Sequence, residues 1–275
     1  MNHQQNKNNT TKNSTANPRR NNSNNNSNNK RHKRNKNNNK DIVLSKGLSW
    51  ILRHGAPKLG LQISSDGYIP VSIILTSQAR NMDQYTLEDV KRIVETNDKQ
   101  RFKLCHKMIL WTDDKKRKYT FVGDSNDASC DADNREEVLC IRANQGHSIK
   151  GIDPENLLTP ITSSELSKMG SSTIVHGTNK DAWINHIKHE GLNKMNRNHI
   201  HFASGLPGDD GVISGMRKNS QVYIYVDGNA CARDGIRFYK SANGVILTAG
   251  LDDSGILPVR YFGNVMDAKT NTKIN

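Results

Sequence analysis

Seven consecutive residues, Arg142 to Ser148 (RANQGHS), bring a guanidinium, two side-chain amides, an imidazole and a hydroxyl together around one glycine. Donors at that density, on a backbone freed by glycine, suit an anion and phosphate above all. A second cationic pair, Arg53-His54, ends the apolar-periodic segment LSKGLSWILRHG. Further along stand STIVHGT (Ser172 to Thr178) and SGMRKNSQVYIYVD (Ser214 to Asp227). Arg53, His54, Arg142 and Arg217 could together meet a phosphate monoester. Planar guanidinium forks match its oxygens, and a histidine adds a proton-bearing donor. Each arginine taken singly fits a solvated surface charge as well.

The elements that would carry these groups can be read from periodicity. Val43, Leu44, Leu48, Ile51 and Leu52 fall at helical spacing, and Gly55-Ala56-Pro57 stops the helix. Arg53 and His54 therefore sit at a helix C-terminus, where the macrodipole favours a protonated His54. Asp66-Gly67 marks a turn between short extended runs, and Val71 to Ser77 a helical turn. Thr86 to Glu95 reads as a helix with a T-x-x-D cap. Phe102 to Leu104, Ile109 to Trp111 and Tyr119 to Phe121 read as strands, and Val138 to Ile141 as a short strand delivering Arg142. Residues 123–137 are acidic and turn-rich, an expected surface insertion.

Asn156 to Ser171, with Pro160 and a Ser/Thr cluster, reads as a linker. Beyond it come strands at Thr173 to Val175, Ile200 to Ala203, Val222 to Val226, Phe238-Tyr239, Val245 to Leu247 and Val259 to Phe262. One helix, Asp181 to Glu190, sits among them. Periodicity alone gives an α+β chain.

Charge is unevenly placed. Residues 1–40 carry ten Lys/Arg, no Asp/Glu and seventeen Asn, so they hold +10 of the net +13. Such a segment cannot bury enough surface to offset its ordering entropy and is expected to be disordered. Lys30 to Arg34 (KRHKR) fits a nuclear address, a phosphate tether or a plain solvated run. No stretch has the ~18 apolar residues of a membrane span, and no signal-peptide core is visible, which points to a cytoplasmic or nuclear protein. Cys105, Cys130, Cys140 and Cys231 lack CxxC spacing and read as reduced thiols. The pairs His199/His201 and His186/His189 lack companion ligands, so no metal is expected.

Taken in order, the Arg53-His54 segment, RANQGHS, STIVHGT and the Arg217 segment resemble the NAD-dependent tRNA (RNA) 2'-phosphotransferases, over about Leu44 to Asn264. The resemblance implies a winged-helix-like RNA lobe over 41–158 and an ADP-ribosyltransferase-like split β-sandwich NAD lobe over 159–275. It implies that Arg53, His54, Arg142 and Arg217 bind the 2'-phosphate of an RNA, such as ligated tRNA, and drive its transfer. It gives His176, Gly177 and Thr178 to NAD, with Ser204 and Gly211 as cofactor neighbours; Val175 stands where the family often has an aromatic. NAD would be consumed rather than reduced, consistent with the lack of a G-x-G-x-x-G after a strand. Gln145, His147 and Ser148 either position Arg142 or touch RNA. A monomer is the default expectation. Two other classes remain open: an ADP-ribosyltransferase acting on another phosphate acceptor, and a non-catalytic RNA-binding module. No glutamate follows Glu190, which counts against a glutamate-dependent protein modifier.

Overall fold

In a computed structural model describing residues 39–113, 118–122, 134–213, 215–217 and 219–274, the first apolar periodicity forms a helix through residues 41–50. The basic Asn-rich tail up to residue 38, residues 123–133 of the acidic segment, Cys130 and Ser214 lie outside the described residues. Leu44, Leu48, Ile51 and Leu52 line the helix's inner face and are fully buried. The helix ends in a widened π turn, Ile51–Gly55, in which the Ala56 N–H bonds the Ile51 carbonyl. Gly55 is required there by packing, because a Cβ would lie 2.4 Å from the Trp50 ring.

Strands β1 (Tyr68–Pro70), β2 (Phe102–Trp111), β3 (Tyr119–Phe121) and β4 (Arg135–Ala143) form an antiparallel sheet in the order β1-β4-β2-β3. The helices Val71–Leu75 and Leu87–Thr96 accompany it. The second begins with the expected capping box: the Asp89 N–H donates to Thr86 Oγ1, and the Thr86 N–H donates to Asp89 Oδ2. Two strands are longer than their sequence texture suggests. The runs at 102–104 and 109–111 are one strand, and β4 begins three residues before Val138.

The remaining strands are β5 (Thr159–Ile161), β6 (Val175–Thr178), β7 (Leu192–Asn193), β8 (Ile200–Phe202), β9 (Val222–Val226), β10 (Phe238–Lys240), β11 (Ile246–Thr248), β12 (Ile256–Leu257) and β13 (Phe262–Asp267). They build sheets β5-β10-β11-β8, β13-β9-β6 and β12-β7. A bridge between Val175 and Ala203 joins β6 to the end of β8. The architecture is mixed α+β, as the periodicity implied.

Several readings are corrected. The supposed linker at 156–171 is folded: it holds β5 and the capped helix Ser163–Met169, with Leu157, Leu158 and Leu166 buried. Its polar and proline content suggested a linker because most side chains there are exposed, with only Leu157, Leu158 and Leu166 buried. Val259–Tyr261 is a 3-10 turn that precedes β13, rather than part of a strand. A helix at Gly228–Arg233, N-capped by Asp227, was not anticipated. Among the described residues no helix is long and apolar enough to cross a membrane.

Asp41–Asn275 clusters as one unit, and the hairpin β10–β11 shows why. Alternation sends Tyr239 and Leu247 into the core around Leu44, Ile69 and Ile141, whereas Phe238 and Ile246 enter the core around Ile174, Phe202 and Ile224. One hairpin is thus a wall common to both cores. Leu247→Ala should cost about 2–5 kcal/mol. Urea melts followed by fluorescence and by far-UV circular dichroism should shift together, in one transition. Separate transitions would show that the cores are not coupled through this hairpin.

Candidate active site

The π turn aims Arg53 and His54 at the loop that follows β4. That loop is held by backbone: the Ser148 N–H donates to the Arg53 carbonyl at 2.9 Å. Gly146, at φ +90°, lets the Arg53 side chain pass close; a Cβ there would sit 3.2 Å from Arg53 Nε. Ser148 Oγ lies 2.8 Å from His54 Nδ1 and 3.5 Å from the Arg53 carbonyl. Ser148 therefore positions His54, a role different from either one expected for it.

Residues 194–198 close over the same loop. Asn198 donates its N–H to the His147 carbonyl and its Nδ2 to the Ile149 carbonyl. Arg197 lies between these contacts and Met195, which takes a left-handed φ of +55°. His199 follows, and β8 then continues the segment with Ile200 and His201. The His199 ring packs edge-on against Tyr239. The His201 carbonyl accepts from His176 Nδ1 on neighbouring β6 at 2.9 Å. That bond fixes the proton on Nδ1 and leaves Nε2 of a neutral His176 as an acceptor.

These elements line an open cleft formed by Arg53, Lys99, Arg101, Arg197 and Arg217, with His176, Thr178, Asn179, Asn219 and Ser220 among the polar groups. Among the described residues no carboxylate lines it. A second open cleft shares Arg197, Arg217, His176 and His201 with the first and adds His54, Ser148 and Glu190. Arg53 Nε and Nη2 are buried and make no hydrogen bond. Burial, then the charges of Arg101 and Arg197, pull the Arg53 pKa down to about 10. Burial also lowers Arg101 and, with Arg217, Arg197. A buried guanidinium with unused donors among like charges is a site for an anion.

The buried His147, His199 and His201 carry no charge at neutral pH. Burial and the neighbouring arginines lower His147 and His201 to about 3, and burial lowers His199 to about 4. His54 is lowered too, by burial and then by Arg53 and Arg197. The helix dipole had suggested a protonated His54; desolvation and three nearby cations outweigh it.

The expected residues divide into three groups. Arg53, Arg217, His176, Gly177, Thr178 and Gln145 line the first cleft, and His54 and Ser148 the second. Arg142 lines neither: its guanidinium lies over the Tyr68 ring at 4.9 Å and donates to the Asp66 carbonyl at 3.1 Å. His147 is buried behind Gly67, and Ser204 and Gly211 also line neither cleft. Gly177 is not an open approach to the backbone, since a Cβ there would meet Ser220 Oγ at 2.5 Å. His176, Gly177 and Thr178 pair with β9 as a strand instead of forming a strand-end turn.

Lys99, Arg101 and Arg197 were missed. Arg197 lies two residues before the alternating histidines, where the reading was confined to metal ligation. Among the described residues no His/Cys/Asp/Glu group could hold a metal ion. Cys105, Cys140 and Cys231 are free thiols, as expected.

A model of the RNA 2'-phosphotransferase, Tpt1 / KptA family matches residues 39–250. The chain is 40% identical to tRNA 2'-phosphotransferase 1 of Danio rerio, over 84% of this chain and 87% of that protein. It is 40% identical to tRNA 2'-phosphotransferase 1 of Homo sapiens, over 85% and 79% respectively. The tRNA 2'-phosphotransferase of Saccharomyces cerevisiae is 36% identical over 83% of this chain and 87% of its own length.

Two outcomes follow from the electrostatics. Inorganic phosphate should raise the melting temperature, by an amount equivalent to about 2.7 kcal/mol at a hundredfold excess over Kd. Arg197→Gln should remove most of that rise; an undiminished rise would place phosphate elsewhere. The histidines are depressed in the folded state from 6.5 to about 3–4. Between those values the unfolded chain binds more protons, so stability is complete above about pH 6.5 and is lost as pH falls towards 4. His201→Phe should flatten that loss in thermal melts taken across pH 7 to 4.

Proposed function

The chain belongs to the RNA 2'-phosphotransferase family, and on that premise we propose that it transfers the splice-junction 2'-phosphate of a ligated tRNA to NAD. The observation that carries this reading is a cleft that, among the described residues, holds five cationic side chains and no carboxylate, with Arg53 Nε and Nη2 buried and without a hydrogen bond. A 2'-phosphate monoester carries nearly two negative charges and supplies what that cleft lacks. The adjoining second cleft, joined to the first at His176, Arg197, His201 and Arg217, leaves room for the co-substrate.

In the proposed reaction Arg53, Arg101 and Arg197, with Arg217 at the junction of the clefts, hold the 2'-phosphate. A phosphate oxygen attacks C1'' of the nicotinamide ribose, the N-glycosidic bond breaks, and nicotinamide leaves as a neutral molecule. The product is an RNA ADP-ribosylated on its 2'-phosphate. The ribose 2''-hydroxyl then attacks phosphorus, the bond to the RNA 2'-oxygen breaks, and the hydroxyl proton passes to that oxygen. ADP-ribose 1'',2''-cyclic phosphate and RNA with a free 2'-hydroxyl are released. Guanidiniums on the non-bridging oxygens stabilise the charge of this second transfer. His54, steadied by Ser148, is a neutral imidazole able to accept the 2''-hydroxyl proton or hand one to the RNA oxygen. His176 and Thr178 would hold NAD, with the neutral His176 Nε2 accepting a hydrogen bond from it.

We assign the RNA to a winged-helix-like lobe over 41–158 and NAD to an ADP-ribosyltransferase-like lobe over 159–275. The clefts support this division: Arg53, Lys99, Arg101 and Gln145 come from the first stretch and the other residues lining the first cleft from the second. Arg142, stacked on Tyr68 and bonded to Asp66, is assigned to support of the loop rather than to phosphate.

The test combines purified protein, NAD and a short RNA with one internal 2'-phosphate, with products followed by mass. Nicotinamide, 2'-hydroxyl RNA and the cyclic phosphate should appear in equal amounts. Arg101→Ala and Arg197→Ala should each lower kcat/KM about 10²- to 10³-fold, whereas Arg142→Ala should act mainly through stability. Dephosphorylation that proceeds without NAD, or NAD left unconsumed, would reject the reading.

A further inference from the structure

The turn that delivers Arg101 is strained, yet it is held from three sides. Gln100 takes a left-handed φ of +43°, unfavourable for a residue with a Cβ. Asn144, buried after β4, donates its Nδ2 to the Gln100 carbonyl at 2.6 Å and its N–H to the Arg101 carbonyl at 2.8 Å. Asn243, buried in the β10–β11 turn, donates its Nδ2 to the Lys99 carbonyl at 2.8 Å and accepts from Ser241 Oγ. Lys99 Nζ donates to the Met216 carbonyl beside Arg217. Asn97, just past the helix Leu87–Thr96, turns its Oδ1 inward. That oxygen accepts from the Lys99 N–H at 3.2 Å, the Arg101 N–H at 3.4 Å and Arg101 Nη1 at 3.1 Å.

An amide oxygen differs from a carboxylate in one respect that matters here. Both accept the guanidinium N–H, but only a carboxylate neutralises it. Asp98, adjacent in sequence, is near enough to raise the Arg101 pKa, yet it makes no hydrogen bond to Arg101 and lines neither cleft. The one side-chain acceptor on the Arg101 guanidinium among the described residues is the neutral Asn97. Were position 97 acidic, the arginine would enter the cleft already paired, and substrate phosphate would compete with an internal carboxylate.

We infer that Asn97 is the positioning residue of Arg101: its neutral carbonyl fixes the guanidinium in the cleft while leaving the positive charge for the phosphate, on a strained turn braced by Asn144 and Asn243. The inference rests on the assignment of Arg101 to the 2'-phosphate and deepens it. It makes the choice of asparagine over aspartate at 97 a requirement of substrate binding, since aspartate would accept the same bonds from the turn, losing only the donation from Asn97 Nδ2 to Ser45 Oγ and adding a charge at the helix C-terminus.

The experiment compares wild type, Asn97→Asp, Asn97→Ala and Asn243→Ala. Binding of a short RNA with an internal 2'-phosphate, and of the same RNA with a 2'-hydroxyl, is read by fluorescence anisotropy without NAD. Turnover with NAD and melting temperature are read alongside. Asn97→Asp should stay folded with a modestly lowered melting temperature, from the lost bond to Ser45 Oγ and the charge at the helix end, bind the phosphorylated RNA about tenfold more weakly, and bind the hydroxyl RNA unchanged. Its KM for that RNA should rise while its KM for NAD holds. Asn97→Ala should lower kcat as well, because the guanidinium is released, and Asn243→Ala should do so more mildly with a lowered melting temperature. If wild type prefers the phosphorylated RNA and folded Asn97→Asp keeps that preference within about twofold, the role of Asn97 is overturned and the phosphate assignment stands. If wild type binds both RNAs alike, the phosphate assignment fails and the positioning role fails with it.

Discussion

The burial of Arg53 against Arg101 and Arg197 is the constraint on which the site depends. Like charges in a partly dehydrated cleft repel, and each loses hydration on the way in. Among the described residues no carboxylate offsets either cost within that cleft. Such an arrangement persists only when the surrounding fold over-determines it. Four separate attachments do so: the π turn at Ile51–Gly55, the Ser148 N–H on the Arg53 carbonyl, the Asn198 contacts to residues 147–149, and the asparagines around Lys99–Arg101. All of them are backbone or amide contacts. Neutral groups can hold cations in place without consuming their charge.

The hairpin β10–β11 explains how groups from distant parts of the chain keep a common geometry. Its alternating faces belong to two hydrophobic cores, so the elements carrying Arg53 and Arg101 cannot drift from those carrying His176 and Arg197 without exposing Tyr239 and Leu247. Asn243, in the turn of the same hairpin, reaches across to the Lys99 carbonyl. Packing and polar positioning are thus delivered by one short element, and the site inherits its rigidity from the core.

How much of this was legible in the sequence differs with the range of the interactions involved. The helix before Gly55, the Thr86 cap and the VYIYV strand could be read because 3.6- and 2-residue periods and capping are local. Of the residues the sequence singled out, Arg53, Arg217 and His176 to Thr178 line the first cleft and His54 the second, although the strand was expected to end before His176. Arg142 stood out by the density of donors around it, but density along a chain does not say which face of a strand a side chain occupies. Its face is that of Tyr68 and Asp66. Arg101 and Arg197 had no local mark: one follows a left-handed residue in a turn, the other sits in a loop whose course is set by contacts to residues 147–149. Long-range hydrogen bonds place them in the cleft, and a sequence read one segment at a time does not contain those bonds. His54 was misjudged for a related reason: the helix dipole is local, whereas burial, the largest cause of its lowered pKa, is set by tertiary packing, and Arg53 and Arg197 add to it.

The same electrostatics explain why the cleft is built from arginine, with neutral histidines behind it. Confinement lowers the Arg53 pKa from 12.5 to about 10, which still leaves the side chain charged at neutral pH. A lysine begins near 10.4, and an equal depression would bring it to roughly 8, where a fraction of molecules would present an uncharged amine to the phosphate. Guanidinium also meets two oxygens at once in a fixed plane, so the orientation imposed by the surrounding amides is passed on to the substrate. Histidine behaves in the opposite way. Its ordinary pKa of 6.5 is driven to about 3 at His147 and His201, so these rings sit among the arginines without adding to their repulsion. His176, its Nδ1 proton held by the His201 carbonyl, then offers an acceptor beside the first cleft, whose charged groups among the described residues are all donors. On the proposed reading, a doubly charged phosphate would need permanent cations and a sugar hydroxyl to be deprotonated would need neutral acceptors beside them; the steep difference between arginine and histidine under one burial supplies both kinds of group.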